Sequence, residues 1–171
     1  MPIVSILIFL GSFIAVSLGG IFVFVVFYNK RTKPILDKFI LHSDSLNPII
    51  FKNIKIRYWT VYGGQMIVYP NNQCDLFLLE DCLGIVRRQD FIYKVFFPPF
   101  LISSDIIKTR NTFSYLNIFK PEKVLFKQTT KSEVDIKLID PAYKHSKIDI
   151  TLKGLTNEQI NQLKKIKSLN L

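Results

Sequence analysis

Charge is missing from the first 29 residues of this 171-residue chain, where no Asp, Glu, Lys, Arg or His precedes Lys30. A stretch of that kind has little to offer water, which excludes a chain that is soluble from end to end and implies two environments. Cysteine and histidine are also scarce, with two of each. Zinc sites need about four ligands at tight spacings, and Cys74, Cys82, His42 and His145 do not supply them, so no metal is expected. Both cysteines lie in apolar, strand-like stretches (CDLFLLE and DCLGIV), which predicts buried thiols. A disulfide would require an extracytoplasmic domain. No phosphate-binding loop is present, because Gly63-Gly64 lacks a following Lys-Ser/Thr and Gly84 stands alone. Neither His42 nor His145 accompanies a G-x-S-x-G motif, and both read as exposed loop residues. Glu80-Asp81 and Asp105 are the acids best placed to face a cleft, yet neighbouring carboxylates decorate many surfaces. No catalytic residue and no cofactor follow, and an enzyme is not expected.

What is present is positive charge, unevenly placed. The formal net charge is +10. Residues 30–60 carry seven Lys/Arg against two Asp, residues 61–140 ten against nine, and residues 141–171 six against two. A nucleic-acid module concentrates Lys/Arg on one recognition surface and interleaves them with aromatics, so nucleic acid is not an expected partner. The pattern suits a domain held beside anionic headgroups, where each basic residue contributes about 1 kcal/mol. A lysine excess that serves solubility alone is the plainer alternative.

Residues 3–28, IVSILIFLGSFIAVSLGGIFVFVVFY, form an uncharged run. As a helix it covers about 39 Å, more than a hydrocarbon core of about 30 Å. Tyr28 and Asn29 mark the interface, and Lys30, Arg31, Lys33 and then Lys38 follow as expected membrane-surface basic residues. Pro34 fits the first turn of a new segment or a break after the anchor. A cleaved signal peptide, the rival reading, would begin with a basic segment and carry an apolar core of about 7–15 residues. The Lys/Arg bias predicts the N-terminus outside and residues 30–171 in the cytoplasm. Gly11, Ala15 and Gly19 repeat every fourth residue, flanked by Ser12 and Gly20. Small residues on one face permit a second helix to approach closely, although they are common in transmembrane helices generally.

The division expected is therefore residues 1–29 as a transmembrane anchor, 30–60 as a juxtamembrane connector and 61–171 as a mainly β domain. Ile35, Leu36, Phe39 and Ile40 have the spacing of a short amphipathic helix, and Ser43 to Pro48 read as a turn. Ile54, Ile56 and Tyr58 alternate with Lys55, Arg57 and Trp59, as a strand does. Tyr58 and Trp59 are placed between anchor and barrel, at headgroup level or in the core. QMIVY (65–69) precedes a turn at Pro70-Asn71-Asn72, and DLFLLE, LGIVR, FIYKVFF, LISSDII, TFSYLNIF, VLFKQTT, VDIKLID and KIDITLK read as successive strands. Alternation in the last two argues for antiparallel strands, and the absence of room for crossover helices predicts a meander. Thr156 with Gln159 forms a capping box for a terminal helix whose stripe is Ile160, Leu163, Ile166 and Leu169.

Short antiparallel strands closed by one amphipathic helix resemble the pleckstrin-homology-like superfold in its bacterial or GRAM-like form. The residues carrying the likeness are Leu76–Val86 (LFLLEDCLGIV), Phe97–Ile106 (FPPFLISSDI) and the strand-plus-helix block Ile148–Leu169, within about residues 60–170. The resemblance implies a binding module for lipid headgroups or peptides, usually without enzymatic activity. Phosphoinositide-binding members place Lys/Arg around the first hairpin turn; Pro70-Asn71-Asn72-Gln73 has none, and no headgroup site is carried over. An antiparallel sandwich with a further strand in place of the terminal helix is the runner-up. Arg87-Arg88 ends an apolar strand, so one side chain can point inward to a ligand or partner while the other faces water. The expectation is a membrane-anchored, non-enzymatic binding or scaffolding module facing the cytoplasm, its partners the bilayer and a membrane or cytoplasmic protein. The alternative is an accessory subunit of a larger complex, held through Gly11, Ala15 and Gly19.

Overall fold

The computed structural model describes residues 3–62, 65–90, 94–127, 132–139 and 147–169. Helix α1 (Ile3–Asp44) is long and apolar enough in its Leu10–Asp44 part to span a membrane. Every side chain from Leu10 to Phe24 is exposed. Below that, Val25, Thr32, Leu36, Phe39 and Ser43 are buried, a spacing that places them on one helical face. The helix continues through Pro34, where the sequence suggested a break or a new start. An interior proline costs about 3 kcal/mol, and burying Leu36 and Phe39 just beyond it contributes enough to offset that.

The chain then turns at Leu46 and Asn47 into β1 (Ile49–Tyr62), so residues 30–60 divide between helix and strand. The remaining strands are β2 (Gln65–Leu78), β3 (Cys82–Asp90), β4 (Lys94–Phe96), β5 (Phe100–Ser103), β6 (Asn117–Lys127), β7 (Glu133–Ile139) and β8 (Lys147–Lys153). Their order is β2-β1-β8-β7-β6-β5-β3-β4, and β2 also pairs with β3. Seven strands thus close into a barrel, with β4 paired to β3 alone at its edge. Closure leaves no long open edge for other chains to extend.

Several sequence expectations change. The sheet is mixed: β5 and β6 run parallel, with Phe100 opposite Asn117 and Ile102 opposite Phe119. The crossover that a meander would not need is α2 (Ile106–Thr112), begun by Asp105, whose side chain accepts the Lys108 N–H at 2.9 Å. LISSDII therefore splits into strand and helix, because Ser103 and Asp105 are cap-forming residues that end the extended pattern. The last three residues of TFSYLNIF and the first four of VLFKQTT fall in one strand, β6, while residues 128–130 lie outside the described residues. Pro70-Asn71-Asn72 is likewise no turn, since β2 runs through it with a register irregularity between the Ile56–Asn72 and Tyr58–Tyr69 pairs. Beyond Gln73, β2 has lost β3 as a neighbour, so Pro70 stands on an edge where its missing N–H is tolerated. Tyr58 and Trp59 belong to β1, within the barrel wall.

Two apolar cores share the wall. Inside the barrel, Ile54, Ile56, Leu76, Leu83, Ile85, Ile102, Ile136, Leu138, Ile150 and Leu152 meet Leu155, Ile160, Leu163, Ile166 and Leu169 from the C-terminal segment. Outside, Phe77, Val86, Leu101 and Ile118 meet Leu36 and Phe39 of α1 and Phe113 from the end of the crossover. Gly84 lies under Phe39; a Cβ there would come within 2.7 Å of the Phe39 Cζ and 3.2 Å of the Phe77 Cβ. The close approach explains glycine in the middle of a buried strand.

Candidate functional site at the helix-facing mouth of the barrel

The barrel has two unlike ends. The far end is plugged by the chain itself. Helix α3 (Asn157–Leu163) begins at Thr156, whose hydroxyl accepts the Gln159 N–H while the Gln159 side chain accepts the Thr156 N–H, completing the expected capping box. Its apolar stripe and the following 3₁₀ turn (Lys167–Leu169) are buried in the barrel core. Ser168 donates to the Asp81 carbonyl and accepts from the Ser104 N–H, tying this segment to the strand ends.

Toward α1 the opposite mouth is built differently. The Asn29 Oδ1 accepts the Phe96 N–H at 3.1 Å, and the Tyr28 and Phe97 rings lie 6.2 Å apart. The last residues of the apolar run are therefore joined to the rim of the barrel. Along β3, Leu83 and Ile85 belong to the interior core and Val86 to the outer one. Strand alternation then turns Arg87 inward. Its guanidinium lies 4.0 Å from the Tyr58 ring centroid, 4.9 Å from that of Phe97 and 5.5 Å from that of Phe100. Phe100 in turn packs edge-on against Phe119 at 5.5 Å. Arg87 is thus a permanently charged group boxed by rings, a setting in which cation–π attraction is strengthened by desolvation. It lies one ring away from Tyr28.

Arg88 points the other way and is structural. It contacts Asp75 at 3.4 Å and the Gln73 side chain at 3.2 Å, while the Asp75 Oδ1 accepts the Asn53 N–H at 2.9 Å. The sequence reading that one arginine faces inward and the other outward thus corresponds to Arg87 and Arg88 in that order.

A second polar group sits on the inner face. Asn72 is opposite Ile56 and two residues from Cys74, both of them core residues, and is only 1% exposed. Neither its amide nitrogen nor its amide oxygen has a hydrogen-bond partner among the described residues. Leaving such a group unsatisfied costs about 1–3 kcal/mol. A polar occupant that both donates and accepts would remove that cost. Sequence reasoning missed Asn72 by assigning it to a turn; continuing the alternation Leu76, Cys74, Asn72 would have placed it inside.

The remaining sequence candidates are dispersed. Lys30, Arg31 and Lys33 are exposed on α1 beside the rim, while Lys38 lies farther along with its ammonium 4.3 Å from the Tyr115 ring centroid. Gly11, Ala15 and Gly19 are exposed, and a Cβ at either glycine would meet nothing within 4 Å. His42 is in the last turns of α1, half-buried, with its ring 4.7 Å from Phe113; His145 and Gly63-Gly64 lie outside the described residues. At the far end, Glu80, Asp81, Cys82 and Lys108 line a cavity of about 270 Å³. Lys108 donates to Asp81 and holds its carboxyl below the usual range. Burial pushes the Cys82 thiol up to about 12 and the Cys74 thiol higher still, so both are free but unreactive. No protein-family model, curated protein or solved structure matches the chain.

Proposed function

We propose that this is a single-pass membrane protein whose barrel is a non-enzymatic binding module working at the cytoplasmic bilayer surface, with the Arg87–Asn72 mouth as its binding face. The observation that carries this is the rigid join between α1 and the barrel through Asn29–Phe96, Tyr28–Phe97 and Phe39–Gly84. With α1 across the bilayer, that join sets the mouth at the level of Tyr28, where headgroups begin. A guanidinium held between rings and a buried amide suit an anionic, hydrogen-bonding group such as a lipid phosphate. Lys30, Arg31 and Lys33 surround the approach with positive charge. The seven-stranded barrel with a terminal helix supports the pleckstrin-homology-like reading, and the parallel β5–β6 pair departs from it.

Thermal unfolding of the full-length chain in mild detergent tests this, with added short-chain phosphatidylglycerol compared against phosphatidylcholine. The anionic lipid should raise the midpoint of the wild type and of Arg88→Gln but not of Arg87→Ala. An equal shift for Arg87→Ala would remove the mouth as the binding face.

A second reading is supported by the open Gly11 and Gly19 face, which nothing among the described residues covers. On that reading the protein is an accessory subunit held through α1 by another membrane helix. Gly11→Ile with Gly19→Ile should then abolish co-purification of a stoichiometric membrane partner, and unchanged assembly would count against it.

A further inference from the structure

Charge is shared unequally between the two halves of the barrel wall. Strands β1, β6, β7 and β8 hold nine Lys/Arg against four acids, whereas residues 63–116, which supply the other strands and α2, hold five of each. The four strands are contiguous in the order β1-β8-β7-β6, so their positive excess falls on one continuous surface. Alternation sends Ile56, Ile150, Ile136 and Val124 toward the core and the residues between them outward. The register sets those outward side chains in rows across the strands. Trp59, Asp149, Lys137 and Lys123 form one row, and Arg57, Thr151, Asp135 and Leu125 the next.

Three of the four acids are answered from within the wall. Lys127 pairs with Asp135, Lys153 pairs with Glu133 at 3.3 Å, and Lys137 is the cross-strand neighbour of Asp149. Lys55, Arg57, Lys123 and Lys147 are exposed and make no ion pair among the described residues. Apolar surface interrupts these cations. Trp59 and Leu125, from the two outer strands of the wall, border a groove of about 190 Å³ that Thr151 and Lys123 also line. Leu125 is exposed and Trp59 half-buried, so the groove opens to the outside on the scale of a single side chain.

The seating of α1 decides what can reach this wall. Asn29 is bonded to Phe96, the partner of Arg88 on β3, and Phe39 covers Gly84 farther along the same strand. Ten residues of helix and four of strand each span about 13–15 Å, so α1 runs alongside β3. The β8–β7 part of the wall lies across the barrel from β3. With α1 spanning the bilayer, the wall stands upright with its back to the anchor, where lipid cannot cover it. A single-stranded nucleic acid stacks its bases on a series of rings, and this wall offers Trp59 alone, with three carboxylates set among its cations. A peptide whose carboxylates flank an apolar side chain complements both the unpaired cations and the groove.

We propose that the outer wall of β1, β8, β7 and β6 docks an acidic segment of a protein partner, with an apolar side chain in the groove beside Trp59 and carboxylates on Arg57 and Lys123. This goes beyond the lipid reading of the mouth and does not depend on Arg87; it draws on α1 spanning the bilayer only to keep lipid off the wall.

The test follows the fluorescence anisotropy of fluorescein-labelled Glu-Glu-Phe-Glu-Glu as the full-length chain is titrated in non-ionic detergent at low salt. Arg57→Glu with Lys123→Glu should weaken binding about tenfold, the scale expected when two exposed charge contacts are reversed. Arg110→Glu with Lys165→Glu makes the same change in net charge at exposed positions off the wall and should leave binding nearly unaltered. Trp59→Ala should weaken binding of this peptide several-fold and leave that of Glu-Glu-Gly-Glu-Glu unchanged. Matching circular dichroism spectra establish that each variant is folded. Absence of binding by the wild type would overturn the proposal. Equal weakening by the two double variants would also overturn it, by assigning the attraction to the overall charge of the chain. An equal effect of Trp59→Ala on both peptides would remove the groove from it. Tighter binding of labelled oligouridylate, lost with Arg57→Glu and Lys123→Glu, would overturn it in favour of a nucleic acid. None of these outcomes involves the response of Arg87 to phosphatidylglycerol, so the two readings fail separately.

Discussion

The two ends of the barrel solve the same problem in different ways. At the far end the strands run out over a C-terminal segment that fills the opening with Leu155, Ile160, Leu163, Ile166 and Leu169, and the Ser168 hydroxyl there finds partners within the chain, although the buried Ser43 hydroxyl finds none among the described residues. At the helix-facing end no such plug is seen among the described residues. An arginine lies among rings, an asparagine amide is buried with no partner among the described residues, and β2 runs on past its last pairing with β3. One end is filled by local sequence; the other carries a buried amide that no described residue satisfies. Buried polar groups without partners are uncommon in finished cores and cluster where function demands them.

The largest test of this contrast is to cut the join between helix and barrel. Phe39 is fully buried, with its ring 5.0 Å from Phe77 and 6.0 Å from Phe113. Phe39→Ala should cost about 3–5 kcal/mol in denaturant unfolding of the detergent-solubilised chain. Gly84→Val attacks the same contact from the barrel side and should cost about 1–3 kcal/mol, since a fully buried Phe39 has no room to retreat. If Gly84→Val is neutral, α1 is not seated where the geometry puts it.

Asn72 gives the contrast a sign. At the far end a polar-to-apolar change should destabilise, as Thr156→Ala should by about 1 kcal/mol through loss of the helix cap. At the mouth the expectation is opposite. Asn72→Leu replaces an unpartnered amide by an apolar side chain with the same number of heavy atoms and should stabilise the ligand-free protein by about 1–3 kcal/mol. It should also weaken the response to anionic lipid. Destabilisation by Asn72→Leu would mean the amide is satisfied by bound water, and that no occupant need be invoked.

Much of the architecture was legible because it follows local rules. The uncharged run, the Thr156–Gln159 capping box, the alternating β7 and β8, and the two buried thiols all express patterns a few residues long. What was not legible depended on neighbours distant in sequence. Pro34 and Pro70 both signal a break locally. Pro34 is overridden by packing of Leu36 and Phe39 on the barrel, and Pro70 is tolerated because β3 ends before reaching it. The crossover helix was hidden in LISSDII, where apolar residues fit either state and only the cap at Asp105 decides. Arg87 was visible as half of a pair, but its ring box draws on β1, β3, β5 and the segment between β4 and β5. Asn72 was lost with the turn to which it was assigned.

The smallest effects come from two carboxylates whose environments differ in sign. Asp149 faces Trp59 and Lys137 across the strands. Burial raises its pKa, outweighing the nearby Lys137 charge. Asp81, at the far end, is held low chiefly by its hydrogen bond from Lys108, against a smaller burial penalty. A raised acid binds its proton more tightly when folded, so Asp149 detracts from stability as pH rises from its unfolded value through its folded one. A depressed acid does the reverse, and the contribution of Asp81 is present above its unfolded pKa and lost as pH falls through its folded value. Asp149→Asn should therefore raise the melting midpoint at neutral pH, and Asp81→Asn should lower it. Both differences should shrink toward zero as the pH drops below the ordinary carboxylate range, where wild type and variant alike are uncharged. Midpoints measured by circular dichroism from pH 3 to pH 7 on the full-length chain would show two curves converging from opposite sides. Curves lying on the same side would mean that the wall beside Trp59 is wetter than its packing implies, and would weaken the claim that the barrel faces two different surroundings.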